Sequence, residues 1–430
     1  MQSKKKLLKV PKVIEISRID RHTYSDFVVQ LSVELYLFTH CGFKKISGLI
    51  RYLNDVFGLE LDRIPCANSI ENRVKKMGYS IYHQTPKEFK EKEYAEIMDE
   101  SMMLGSEKML LTLGVEAEKK SDKALQHHEI KVLDISVAEK WNSETVKMKF
   151  SEMEKKTGHP PLYVISDNDS KLCKSIRETG YIQIRDTGHT MAKFIEQVYG
   201  KDEDYKLYSK QLSEVKIREV MRSSSYLLPP RQRTMSRFMN LSPVLKWSRQ
   251  IDNNFSKLSD EEAENFKFVK QHIVLTEELE QIFNCVNSIL KKAKNQGFSK
   301  KNINKYIREI QHNLTHDGAR VKQVKLSLCN YLREEKEKIP AIKNTWHCSS
   351  DIIESLFGAY KFRKSTNLLN GITSYVLVIP LMAAVGHEPK SSSLDFKGKL
   401  ESVFMQDLSV WKENNLTENL TVKRRKKLAS

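Results

Sequence analysis

The sequence is poor in organised cysteine. Six cysteines, Cys41, Cys66, Cys173, Cys285, Cys329 and Cys348, are scattered along the chain, and none forms a C-x-x-C pair. That scatter argues against zinc-finger spacing and supplies no disulfide framework, so it fits a reducing compartment. The adjacent His347 and Cys348 are metal-ligating types, but a lone pair of this kind is usually structural. Long apolar runs are also missing. The longest, YVLVIPLMAAVG from Tyr375 to Gly386, contains Pro380 and falls short of the roughly 20 residues that a bilayer crossing takes. It reads as buried core. The N-terminal MQSKKKLLKVPKV is positive but no apolar stretch follows it, so no signal peptide is expected. These absences lead to an expectation of no membrane and of a cytoplasmic protein, nucleoid-associated if the source is prokaryotic.

Acid is scarce relative to base. Asp and Glu number 55 against 72 Lys and Arg, a formal net charge of +17 over 430 residues. Such a charge attracts polyanions, nucleic acid first and an acidic membrane surface second. Charge alone does not choose between them. The length suffices for two or three domains, and an apolar fraction of 40% suffices for their cores.

Residues 23–40 have the pattern of an apolar helix. Next, Ile46, Leu49, Ile50, Leu53 and Phe57 have helical spacing. GLELDRIP then breaks the pattern, and a second helix follows, with Asn68 or Ser69 as its cap. Ile70, Val74 and Met77 fall inside it, and Glu71, Asn72, Arg73, Lys75 and Lys76 outside. Helix, turn and short basic helix is the outline of a helix-turn-helix DNA reader. A charged connector spans 88–96.

The pattern then changes. AEIMDESMML and KMLLTLGVEA read as strands joined by a turn at Gly105 and Ser106, and EIKVLDISVAE as a third. A helix from Ser143, its cap, to Gly158, the short apolar strand PLYVISD, the helix SKLCKSIRETG and the strand YIQIRDTG follow. Three meandering strands followed by alternating helix and strand predict a mixed sheet with helices on its faces, the first strand central and the fourth beside it. From about 190 to 345 strand signal is almost absent, which predicts an all-helical insertion. The tail TVKRRKKLAS reads as basic and disordered.

Three carboxylates stand out in this frame. Asp99 lies within the first strand, where a carboxylate is costly to bury without compensation. Asp167 stands where the fourth strand ends, and open α/β sheets bind ligands beyond such ends. Asp169, two residues on, is an alternative. Glu354 lies in SSDIIESLFGAYKFRK, which reads as a helix capped by Ser349 or Ser350. Lys361 follows almost two turns later on nearly the same face. The sheet order brings Asp99 and Asp167 together, and a helix across the sheet can deliver Glu354. Three converging carboxylates repel unless a divalent cation neutralises them, and oxygen ligands suit Mg²⁺ or Mn²⁺. Two such ions can drive phosphodiester chemistry.

The motifs EIMDES, YVISDN and DIIESLFGAYK, with RDTGHTMAKFIEQVY after the last strand, resemble those of the DDE transposases of prokaryotic insertion sequences. The resemblance covers most of the chain. It implies an α/β ribonuclease-H-like mixed sheet with a large all-helical insertion, preceded by a helix-turn-helix module. The implied divisions are a DNA-binding region at 1–87, the catalytic core at 88–199 and 343–415, the insertion at 200–342 and a basic tail at 416–430. It implies Asp99, Asp167 and Glu354 as a triad holding two Mg²⁺, with Mn²⁺ as the alternative, and double-stranded DNA as partner, bound by a homodimer. Glu354 and Lys361 match half of a Tyr-x2-Arg-x3-Glu-x6-Lys signature found in some families. His347 and Ser350 stand at the Tyr and Arg positions, so the match is partial. Further expected DNA contacts are Lys361, Arg363, Lys364, Arg73, Lys75, Lys76, Arg231, Arg233, Arg237 and Trp247. Trp247 either stacks on a base or packs in a core, and the basic residues around it are either backbone contacts or a solvated face. Asp186 and His189 either assist the site or are structural.

Overall fold

The computed structural model describes residues 19–20, 23–58, 61, 63–101, 107–232, 237–340, 344–364, 371–385, 395–418 and 420–429. Three helices come first: α1 (Asp26–Thr39), α2 (Phe43–Phe57) and α3 (Ala67–Gln84). Five strands follow, β1 (Tyr94–Glu100), β2 (Lys108–Glu116), β3 (Ile130–Ala138), β4 (Tyr163–Ser166) and β5 (Gln183–Arg185). Helices α4 (Ser143–Thr157) and α5 (Ser170–Thr179) are interleaved with the later strands, and α6 (Thr187–Tyr199) follows the last. The sheet order is β3-β2-β1-β4-β5. β1, β2 and β3 pair antiparallel, while β4 and β5 run parallel to β1. The chain is therefore mixed α/β, with one five-stranded sheet and mostly helices around it, and β1 central as the sequence order predicts.

Alternation along β1 assigns its faces. Ala95 and Ile97 join the main core, while Met98 joins a smaller core with Val146 and Phe150 of α4 and Leu172 and Ile176 of α5. Asp99 shares the parity of Ala95 and Ile97, and so faces the main core. The charged connector ends sooner than the sequence suggests. Glu96 lies inside β1, fully buried, with neither carboxylate oxygen hydrogen-bonded. Burial, helped by Asp134, pushes its carboxyl up to about 8, so the group is neutral at pH 7.

The segment without strand signal forms α7 (Glu203–Glu219), α8 (Ser242–Asn253), α9 (Asp260–Phe266), α10 (Phe268–Gln271), α11 (Ile273–Gln296), α12 (Lys300–Asn313) and α13 (Ala319–Lys338). The chain closes with α14 (Asp351–Arg363), α15 (Val378–Val385), α16 (Phe396–Glu401), α17 (Met405–Asn415) and α18 (Leu420–Ala429). The run from Val376 to Ala383 is buried, as its apolar sequence predicts. No helix among the described residues is long and apolar enough to cross a membrane. One continuous apolar core joins the N-terminal helices, one face of the sheet, the helical segment and α14 to α17.

Several local expectations are corrected. Cys66, not Asn68 or Ser69, is the N-cap residue of α3, and Asn142, not Ser143, caps α4. The C-terminal part of helix α3 is covered. Gly78 abuts the backbone after it: an added Cβ would stand 1.8 Å from the Leu377 carbonyl oxygen. Tyr82 packs on Trp411 of α17, and Lys399 of α16 donates to Gln84. Arg73 is buried, its guanidinium 4.4 Å from the centroid of the Tyr24 ring and donating to the Ser69 carbonyl. That cation–π seat removes Arg73 from the outer face assigned to it. The tail is helical as α18. Its Lys and Arg residues favour helix, and Lys426 pairs with Glu418. The turn at Gly105 and Ser106 and the residues 102–104 lie outside the described residues.

Candidate functional site

The site starts from the register of β1 and β4. Met98 is opposite Ser166, so Asp99 and Asp167 emerge next to one another at the carboxyl ends of two parallel strands. Neighbouring strands are about 5 Å apart, which places two carboxylates within strong Coulomb range. Both are half-buried. Burial first, and Asp167 second, push the Asp99 carboxyl up to about 7, while His189 opposes the shift. Asp167 is raised too, mainly by burial, although its Oδ1 accepts from the Asp169 amide. Asp169 itself is committed as the N-cap of α5, accepting from Lys171 and Leu172. That leaves Asp167 as the carboxylate facing Asp99.

Glu354 arrives by an ordered route. The residues before α14 are pinned to the sheet. Trp346 stacks on Tyr163 of β4 with ring centroids 4.3 Å apart, and exchanges backbone hydrogen bonds with Phe298. The Tyr163 hydroxyl donates to the Ala117 carbonyl and accepts from the His347 amide. The Cys348 carbonyl accepts from both the amide and the hydroxyl of Thr187, at the start of α6. Asp186 completes the lock. It N-caps α6 through the His189 amide, and its other oxygen accepts from the amide and hydroxyl of Ser350. Asp186 is fully buried, which raises its carboxyl. Its part is therefore to hold α6 and α14 together. Asp186→Ala leaves two buried donors unpaired and is expected to cost about 3 kcal/mol of stability, read by urea unfolding.

At the first turn of α14 the two acids part. Asp351 pairs with Lys294 of α11. Glu354 accepts from His189 Nε2 at 3.0 Å. That hydrogen bond is the main reason the His189 imidazole is raised from 6.5 to about 9, with Asp186, Glu354 and Asp167 adding to it. His189 is thus a cation at neutral pH among the carboxylates. Lys361, half-buried on the same helix, lies within electrostatic range of Asp99 and Glu354, and burial lowers its ammonium. It makes no ion pair among the described residues. A cavity of about 310 Å³ opens beside this cluster, lined by Asp167, His189, Lys193, Phe238 and Met239 among others.

Other sequence candidates fall elsewhere. Arg363 donates to the Leu37 carbonyl and His40, with Tyr36 beneath it, so it ties α14 to α1 rather than standing ready for DNA. Trp247 is buried against Phe266 and Phe268 and donates to the Leu227 carbonyl, so it is a core residue and not a stacking platform. His347, at the signature's Tyr position, is buried, and burial with Lys119 pushes it down to about 4. Ser350, at the Arg position, is spent on Asp186, so neither position can grip a phosphate. Lys75 pairs with Glu71, Lys76 and Lys364 are half-buried, and Arg231 is exposed. Arg233 lies outside the described residues, as does the side chain of Arg237. The sequence reading missed the pinning role of Ser350, whose partner is 164 residues away.

The oxygen donors and their like-charge stress suit a hard divalent cation. Among the described residues, however, no group of three or more His, Cys, Asp or Glu side chains is arranged to hold a metal ion as it stands. No protein-family model matches the chain, and no curated protein matches it either.

Proposed function

We propose that the chain is a DDE transposase with a ribonuclease-H-like core, cutting the ends of its DNA element and joining them to target DNA. One observation carries the reading. Asp99 and Asp167 stand side by side at the carboxyl ends of the central strands, and α14 brings Glu354 to the same cluster from far along the sequence. The strand order β3-β2-β1-β4-β5, antiparallel then parallel, and the helical segment between β5 and α14 support it.

In this reading Asp99, Asp167 and Glu354 would hold the divalent ions, Mg²⁺ or Mn²⁺, which would supply activation of the attacking water or 3′-hydroxyl and stabilisation of the leaving oxygen. The chain's own residues do the rest. Lys361 offers its ammonium to a phosphate oxygen next to the carboxylates. His189 holds Glu354 in place and supplies the positive charge that keeps the acids together in the metal-free chain. Asp186 and Ser350 fix the helix on which Glu354 and Lys361 ride. Hydrolysis and strand transfer are both in-line attacks on phosphorus, so one site serves both. Two DNA ends must meet, which calls for a dimer on DNA.

The His189–Glu354 contact, with no three side chains among the described residues arranged to hold an ion, favours a second reading: a DNA-binding protein that keeps the fold without the chemistry. The test uses supercoiled plasmid carrying the DNA that flanks the coding sequence, with Mg²⁺ or with EDTA. Metal-dependent nicks and strand-transfer products are expected. Nicks without transfer would mark a nuclease, and specific binding without products would favour the second reading.

A further inference from the structure

Helix α18 has five consecutive cations, Lys423, Arg424, Arg425, Lys426 and Lys427, in ten residues, and none of its residues is buried. A helix that buries nothing adds little to the core, so its role lies in what it presents. Lys423 pairs with Glu139 at 3.1 Å, and its charge is also felt at Glu107. Lys426 pairs with Glu418. Arg424 and Arg425 make no ion pair among the described residues.

The anchor sets the location. Glu139 follows Ala138, the last residue of β3. β3 runs in the same direction as β1 and β4, since β1 and β3 are both antiparallel to β2 and β4 is parallel to β1. The carboxyl end of β3 is therefore on the same sheet edge as Asp99 and Asp167. Two strand spacings, about 10 Å, separate β3 from β1. One turn of duplex DNA is about 34 Å long, so a duplex with one phosphate at the carboxylates has its first flanking turn within reach of α18.

We propose that α18 is a backbone clamp for the duplex flanking the scissile bond, with Arg424 and Arg425 on its phosphates. The inference rests on the DNA-processing reading above. An acidic membrane surface is the other polyanion to consider. Helices that lie in membranes carry a broad apolar face, often with aromatics, whereas α18 offers only Leu420, Val422, Leu428 and Ala429 and no aromatic residue. Guanidinium groups match phosphate oxygens in pairs.

The experiment measures duplex binding by the full chain and by the double variant Arg424→Gln, Arg425→Gln over a series of salt concentrations. Both side chains are exposed, so thermal unfolding is expected to be unchanged. Losing two phosphate contacts flattens the slope of log K against log salt by about 1.8. An unchanged slope and affinity, with the unaltered chain binding duplex, would overturn the clamp and leave the DNA reading standing. No binding of duplex by the unaltered chain at any salt would remove both. Tighter binding to anionic phospholipid vesicles than to duplex, lost in the double variant, would overturn the clamp in favour of a membrane contact.

Discussion

Asp99→Asn is expected to abolish cleavage and strand transfer, by about a thousandfold or more, while making the metal-free chain more stable. The two effects have one cause. Asp99 is held beside Asp167, and the charge of His189 only partly offsets the shift, a like-charge stress that a divalent ion would relieve in the proposed reading. Its carboxyl is pushed from an ordinary 3.8 up to about 7. A raised folded value means that the unfolded chain releases the proton first. Stability from this group is therefore complete below pH 4 and drains away as pH rises through 7. Asparagine keeps the hydrogen bond that Asp99 Oδ1 accepts from the Glu100 amide, and removes the charge. The gain at pH 8 in EDTA is expected to be about 2 kcal/mol, set below the full linkage value because Asp99 keeps some solvent contact. Urea unfolding at pH 4 and pH 8 measures it. The variant should differ little at pH 4 and clearly at pH 8. A variant less stable at both would mean that Asp99 is a structural strand residue.

His189→Gln should move stability the other way. The imidazole is raised to about 9 by its hydrogen bond to Glu354. For a base with a raised folded value, the stabilisation is fully present below the unfolded value near 6.5 and is lost as pH climbs through 9. Glu354 is about half exposed, at 49%, so solvent screens the pair. The expected loss at pH 7 is about 1–2 kcal/mol, vanishing above pH 10. The same change removes the cation that opposes the shift on Asp99, so the carboxylate should titrate still higher. The metal-free variant would then show its decline in stability displaced toward alkaline pH. A loss of equal size at pH 7 and pH 10 would show that His189 acts by packing alone.

These two residues also show what the sequence made legible. Asp99 could be read because it is a carboxylate within an apolar strand and because strand order follows the chain: three meandering strands put the first beside the fourth. Asp167 followed from where the apolar run of β4 stops. Glu354 came from resemblance, and the structure separates it from Asp351, three residues earlier, by their partners, His189 and Lys294. What stayed hidden depends on distant contacts. The sequence of α3 has a charged face, but α15 to α17 return over that helix, and Arg73 finds a ring to sit on. For Trp247 the sequence left base stacking and core packing both open, and Phe266 and Phe268 close on it as core. Ser350 looked like an ordinary helix cap, and its hydroxyl instead holds Asp186. Glu96 has the chemistry of a connector residue, yet strand pairing carries it into the interior, where it is held neutral.

The most direct test is a calorimetric titration of Mn²⁺ into the metal-free chain at pH 7.5, beside the same titration of Asp99→Asn. The account predicts saturable binding by the unaltered chain that is lost in the variant, because the carboxylates at the ends of β1 and β4 are the ligands. Equal binding by both, or none by the unaltered chain with DNA present, would contradict it.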